Sequence, residues 1–302
     1  MTRVVCLTPN PAIDVTYRVP TLTPGGAHRV ADVLERPGGK GVNVARVLHA
    51  LGVPCVIVAP LGGPAGTWLA DALTDAGLAV RAVPVAAPTR RTFTVVDEGG
   101  TATAFNEPGR PLTGAEWAAV VDAVNEELAG AEALVVSGSL PAGAPEDLLP
   151  RLIAAGVPAV VDTSGPALLA AAGAGPVLLK PNADELSAAL PGLSHTDAAR
   201  RLLALGAERV VVSLGADGLL GLAGGEAWRV AAIPGVTGNP TGAGDATVAA
   251  LVRGLIDGTS WPDVLADAAA LGAAAVLEAA AGDVDLAAYT RFLPTLHAER
   301  LE

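Results

Sequence analysis

"GNPTGAGDATVAALVRGL", residues 238–255, is a glycine-rich turn that runs through Asp245 into a helix of small and apolar residues. At such a junction the backbone N–H groups of Gly242, Ala243 and Gly244 have no partner inside the helix, and the helix dipole adds positive potential. Glycine lets that backbone approach a phosphoryl group closely. A carboxylate in an anion site is a conflict, because it repels what the amides attract. The conflict resolves if Asp245 takes a proton from an attacking hydroxyl while the amides hold the transferring phosphoryl oxygens. The alternative is that Asp245 caps the helix, and the rest of the chain has to decide.

Upstream, "PGGKGVNVARVLHALG" (37–52) sets Lys40 among Gly38, Gly39 and Gly41, ahead of a helix with apolar Val42, Ala45, Leu48 and Leu51. Gly41 stands where a Walker A loop needs Ser or Thr for magnesium, so this is not that loop. A lysine among backbone amides still suits a substrate phosphate. Of the 19 Lys and Arg residues only Lys40 and Lys180 are lysine, which suggests that a compact ammonium is wanted at Lys40. The plainer reading of Lys40 is a solvated residue in a turn.

Lys180 ends an apolar strand and opens "KPNADELSAAL", in which Asn182 and Glu185 share one face of a helix start and could order waters around Mg²⁺. The same spacing makes a capping box. "VVVSLGADGLL", from residue 210, is a strand ending in Ser213, Gly215 and Gly218, which could pass a nucleotide's phosphates or simply turn. "LTPNPAIDVTY" puts Asp14 just beyond the first strand, where ligands of open α/β sheets gather. "VVSGSLPAG" (135–143) turns through Ser139 and lacks the glycine of a nucleophile elbow. The four histidines, at 28, 49, 195 and 297, have no metal-ligand spacing, and no Gly-x-Gly-x-x-Gly follows the first strand. These absences count against a zinc enzyme, a Ser-His-Asp hydrolase and a dinucleotide oxidoreductase.

Between these motifs, short β-rich runs alternate with alanine- and leucine-rich helical patterns, the signature of a parallel sheet covered on both faces. Strands are expected at 3–8, 54–60, 78–84, 132–137, 158–162, 176–180 and 208–213. Helices are expected near 42–51, 66–76, 114–129, 145–155, 182–190, 196–206, 244–257, 261–281 and 286–297. Residues 12–34 and 89–106 break the alternation, the second as a hairpin with a Glu-Gly-Gly turn. Together they predict a small sheet that serves as a lid on one domain spanning 1–302.

Composition narrows the partners. With 51% hydrophobic residues and a net charge of -12, the chain has a large core and no basic face for nucleic acid. An anionic ligand must be held locally. The longest uncharged stretch, 47–70, is interrupted by Pro54, Pro60 and Pro64, so no membrane span is expected. Cys6 and Cys55 lie in apolar runs and read as buried free thiols. With no signal peptide visible, a soluble cytoplasmic protein is expected.

"NPAID", "GGKGVN", "SGSLP", "KPN" with Glu185, "SLGADG" and "GAGD" occur in the order seen in PfkB-type, ribokinase-like sugar kinases, and the chain resembles that family over essentially its whole length. The resemblance implies a doubly wound α/β domain with a β-lid that transfers the γ-phosphoryl group of ATP to a sugar hydroxyl with Mg²⁺. It implies Asp245 as base, the amides of Gly242, Ala243 and Gly244 as anion hole, and Asp14, Gly38, Gly39, Asn43 and Ser139 around the sugar. Lys180, Asn182, Glu185, Ser213, Gly215 and Gly218 would lie along ATP, with Asn182 and Glu185 holding Mg²⁺ through water. Lys40 resembles the branch whose substrate already bears phosphate, the 1-phosphofructokinase and tagatose-6-phosphate kinase group. Arg90 sits where that group's lid supplies a second cation, although Arg90 and Arg91 point to opposite sides of a strand and either could face in. Asn239-Pro240 and "GDVDLAAY" look more like the tagatose-6-phosphate branch, while fructose 1-phosphate, fructose 6-phosphate and an unphosphorylated sugar stay open. A non-catalytic sugar- or nucleotide-binding regulator is the reading from another class. The lid edge could pair two copies as a homodimer.

Overall fold

The computed structural model describes residues 4–99 and 101–301. Arg3, at the start of the first expected strand, and Gly100, in the expected hairpin turn, lie outside the described residues. In chain order the strands are β1 (Val4–Leu7), β2 (Ala12–Val19), β3 (Asp32–Gly38), β4 (Cys55–Leu61), β5 (Ala79–Pro84), β6 (Arg90–Asp97), β7 (Ala102–Asn106), β8 (Ala133–Ser137), β9 (Ala159–Asp162), β10 (Leu178–Leu179), β11 (Arg209–Ser213), β12 (Leu219–Ala223), β13 (Glu226–Val230) and β14 (Glu299–Leu301). The helices are α1 (Lys40–Ala50), α2 (Gly63–Asp75), α3 (Gly114–Leu128), α4 (Leu148–Ile153), α5 (Pro166–Gly173), α6 (Ala183–Ala189), α7 (His195–Leu205), α8 (Ala243–Ile256), α9 (Trp261–Val276) and α10 (Leu286–Phe292).

Ten strands form one sheet in the order β14-β13-β12-β11-β10-β9-β8-β1-β4-β5. From β11 to β5 every pairing is parallel, and β12 to β14 add an antiparallel edge. The central strands read as continuous apolar runs because both faces are covered. Val4, Cys6 and Val135 join the core under α1, α8 and α9, whereas Val5, Leu7, Leu134 and Val136 join the core under α3, α4, α5 and α7. This is the ribokinase-like α/β arrangement that the sequence predicts.

The chain leaves β1 for β4 and β5 on one side and returns to β8 on the other, so the strand order reverses beside β1. Open α/β sheets bind ligands at the carboxyl end of such a switch point. Here a separate four-stranded sheet, β3-β2-β6-β7, stands over that end. β2 leaves directly after β1 and β3 leads directly into α1. Its register sets Asp14 opposite Arg36 on β3 and Thr92 on β6.

Some boundaries differ from expectation. The expected helix 261–281 ends at Val276, and 286–297 ends at Phe292, where Pro294 turns the chain through a 3-10 turn toward β14. α5 was not expected, because "PALLAAAG" is too short and uniformly apolar to show a period. The β12–β13 hairpin and β14 were not expected either; β14 is a three-residue exposed edge. Cys6 and Cys55 are free thiols, the first buried and the second half-buried. Among the described residues no helix is long and apolar enough to cross a membrane.

Candidate active site

α8 begins at Gly242, whose φ of 90° is left-handed and whose α-carbon faces Ala281, so a side chain there would be both strained and crowded. Asp245 sits one turn in, buried. The N-cap of α8 is Gly242, not Asp245, and Asp245 Oδ2 accepts from Asn43 Nδ2 of α1 at 2.8 Å. The capping alternative is therefore not how the residue is used in this fold. Burial, reinforced by the negative charge of Asp162, pushes the Asp245 carboxyl up to about 7, against the opposing pull of Asn43, Lys40 and Lys180. A carboxyl poised there suits a general base at neutral pH. Asn43 Oδ1 is buried with no partner, an acceptor aimed into the same site.

Asp162, at the end of β9, was missed by the sequence reading. It is 1% exposed and touches three groups: Lys40 Nζ at 3.3 Å, Lys180 Nζ at 3.8 Å and Ser137 Oγ at 3.3 Å. Its signal was a lone acid ending the apolar strand "AVV", level with Lys180, which directly follows β10 on the neighbouring strand. Lys40 also donates to Glu185 Oε1 at 3.1 Å. Burial alone would lower the Lys40 ammonium's pKa, but Asp162, Glu185 and Asp245 outweigh it and raise it, so the cation stays charged. Lys180 is 2% exposed, and a β-carbon added to Gly244 would stand 3.3 Å from its Nζ. Lys180 thus lies against the first turn of α8 and shares Asp162 with Lys40.

On the lid side, Asp14 accepts from Thr92 Oγ1 at 2.6 Å and packs so tightly over Gly38 that no side chain fits there. Gly39 is the N-cap of α1. Burial raises the Asp14 pKa, and Thr92, Arg90 and Arg36 oppose it. Arg90 donates to the carbonyl of Asn10 at 3.1 Å and that of Glu107 at 2.8 Å, and Asn10 Nδ2 reaches Ser139 Oγ at 3.2 Å. Arg91 instead pairs with exposed Glu35 at 3.2 Å. Of the two arginines, Arg90 shares the cleft with Asp14.

Across the sheet, Asn182 and Glu185 form the capping box of α6: Glu185 N donates to Asn182 Oδ1 at 2.8 Å and Asn182 N to Glu185 Oε2 at 3.0 Å. Asn182 bridges Ser213, whose N–H bonds to Pro181 O at 3.2 Å. Gly215 and Gly218 bound the short turn that follows. Among the described residues no three His, Cys, Asp or Glu side chains converge as direct metal ligands. The oxygen donors of Asp162, Glu185 and Asn182 fit a hard cation held mainly through water and phosphate.

The chain is similar to known proteins over most of its length. The family model "pfkB family carbohydrate kinase" matches residues 1–287. The ATP-dependent 6-phosphofructokinase isozyme 2 of Mycobacterium tuberculosis is 38% identical over 287 residues, 91% of this chain and 84% of its own length. The 1-phosphofructokinase of Xanthomonas campestris pv. campestris is 38% identical over 269 residues, 84% of each chain. The crystal structure of Escherichia coli phosphofructokinase-2 in complex with fructose-6-phosphate superposes with a TM-score of 0.88 at 34% identity, covering 98% of this chain and 99% of that one.

Proposed function

The chain belongs to the pfkB family of carbohydrate kinases, and from that premise we propose that it transfers the γ-phosphoryl group of ATP to a hydroxyl of a ketohexose that already carries a phosphate. The observation that carries the reading is the Asn43–Asp245 pair at the mouth of α8.

In this reading the acceptor lies between the lid and β1. Asp14, Gly38, Gly39 and Asn43 hold its hydroxyls, while Lys40, Arg90 and Ser139 hold its phosphate. Asp245 takes the hydroxyl proton as the oxygen attacks phosphorus, and the amides of Gly242 and Gly244 carry the phosphoryl oxygens, whereas the expected third amide, that of Ala243, donates to the carbonyl of Pro240 at 3.2 Å. Lys180, Ser213, Gly215 and Gly218 line the nucleotide. Asp162, Glu185 and Asn182 would hold Mg²⁺ through water; when bound, that ion offsets phosphate charge. The lid sheet excludes water when the acceptor is in place.

The relatives point to two acceptors, fructose 1-phosphate and fructose 6-phosphate, through their names. Tagatose 6-phosphate draws no support from them and rests on Asn239-Pro240 and residues 282–289 alone. Pairing of two lids in a homodimer belongs to the same proposal, supported by exposed Val33, Leu34 and Phe105 on the sheet's outer strands. A monomer by sedimentation would remove it.

The acceptor is tested by ADP release over fructose 1-phosphate, fructose 6-phosphate, tagatose 6-phosphate and the free sugars, each with ATP and Mg²⁺. The reading expects one fructose phosphate to exceed every free sugar by at least ~100-fold in kcat/KM, the worth of a pair of charge-assisted contacts. A free sugar turned over equally well contradicts it.

A further inference from the structure

Arg36 on β3 of the lid reaches across to Asp283, in the loop between α9 and α10, 247 residues away in sequence. The pairing is bidentate, Nη1 to Oδ2 at 2.5 Å and Nη2 to Oδ1 at 2.7 Å. Arg46 of α1 donates to the same Oδ1 at 3.3 Å. One carboxylate therefore ties together the lid, helix α1 and the C-terminal loop.

That loop also touches the reacting end of the site. A β-carbon on Gly282 would stand 3.2 Å from Asn43 Cα and 3.0 Å from Arg46 Cδ, and Ala281 lies against Gly242 at the N-cap of α8. Arg36 is the cross-strand partner of Asp14, so the two side chains share the face of the lid that looks into the cleft. The Arg36 and Arg46 side chains are 19% and 18% exposed, partial burial in which a charge-assisted pair keeps more strength than on the open surface. Burial would push the Asp283 carboxyl up, but Arg36 and Arg46 more than offset it and hold it below the ordinary carboxylate value.

We propose that Asp283 is a positioning residue that latches the lid to the body through Arg36 and, through Arg46 and Gly282, sets Asn43 and Gly242 in register with it. Asp283 touches no substrate in this account. It fixes the distance between Asp14 on the lid and the Asn43–Asp245 pair below. The kinetic consequence rests on the acceptor assignment above; the latch itself does not.

The test is hydrogen exchange on the full chain free of ligand, with Asp283→Asn and Arg36→Gln, followed by steady-state kinetics. Amides of β2 and β3 should exchange several-fold faster in both variants while those of β8 and β9 keep wild-type rates. The double variant should be no faster than the faster single one, because both remove the same Arg36–Asp283 contact. KM for the sugar phosphate should rise ~10-fold with KM for ATP within twofold. Wild-type exchange of the lid in both variants overturns the latch, as does uniform acceleration across both sheets. Should Asp283→Asn fail to fold, Arg36→Gln on the lid strand decides by the same readings. Should the wild type turn over no ketohexose phosphate, the acceptor assignment falls and the exchange arm still judges the latch.

Discussion

Asn43 Nδ2 donates to Asp245 Oδ2 at 2.8 Å, linking α1, which follows β3 of the small sheet, to the first turn of α8. The carboxylate is thereby tied to α1, and in the proposed reaction it faces the acceptor. Burial and Asp162 raise its pKa to about 7. The catalytically useful form is the ionised one, so kcat/KM should fall tenfold per pH unit below about 7. A flat profile between pH 5.5 and 7.5 would contradict that assignment.

Neighbouring charges should move that limb in opposite directions. Lys40→Met removes a cation that favours the Asp245 carboxylate, and Asp162→Asn removes an anion that opposes it. The acid limb should shift up by about one pH unit in the first and down by a similar amount in the second. Lys40→Met should also raise KM for the sugar phosphate far more than KM for ATP. Equal losses on both substrates would move Lys40 from the acceptor's phosphate to the transferring group.

Asp245 should cost stability for the same reason that it is reactive. Its pKa rises from an ordinary 3.8 to about 7, so its contribution to stability is fully present below pH 3.8 and is lost as pH rises through 7. Asp245→Asn should therefore raise Tm at pH 8 by about a few degrees and change it little at pH 4. Differential scanning calorimetry at the two pH values checks the sign.

Arg90 and Arg91 are adjacent and chemically identical, yet one donates to the carbonyls of Asn10 and Glu107 beside Asp14 and the other pairs with Glu35 on the surface. Arg90→Ala should raise KM for the sugar phosphate by roughly 10- to 100-fold, the loss of a charge-assisted contact. Arg91→Ala should stay within about twofold. Michaelis curves for the two variants, measured side by side, distinguish them.

What was legible in the sequence follows from range. The central parallel strands β1, β4, β8 and β9 announce themselves because burial on both faces makes each a continuous apolar run, and the turn at Gly242 shows through its glycines. Asp162 did not, because its meaning comes from Lys40, 122 residues away, and Lys180, which only the sheet brings beside it. The same holds for Asp283: as sequence it is part of "GDVDLAAY", and only the folded chain places it under Arg36. Which of Arg90 and Arg91 faces in was likewise undecidable from alternation alone, since a strand presents both sides until its register is fixed.

The central claim is that Asp245 takes the acceptor's proton during phosphoryl transfer. It is tested most directly by comparing kcat for wild type and Asp245→Asn at saturating sugar phosphate and ATP, with binding of both substrates measured by calorimetry. The account predicts binding within a few-fold of wild type and kcat lower by about 10²–10⁴. A variant that binds both substrates and turns over at the wild-type rate would contradict it.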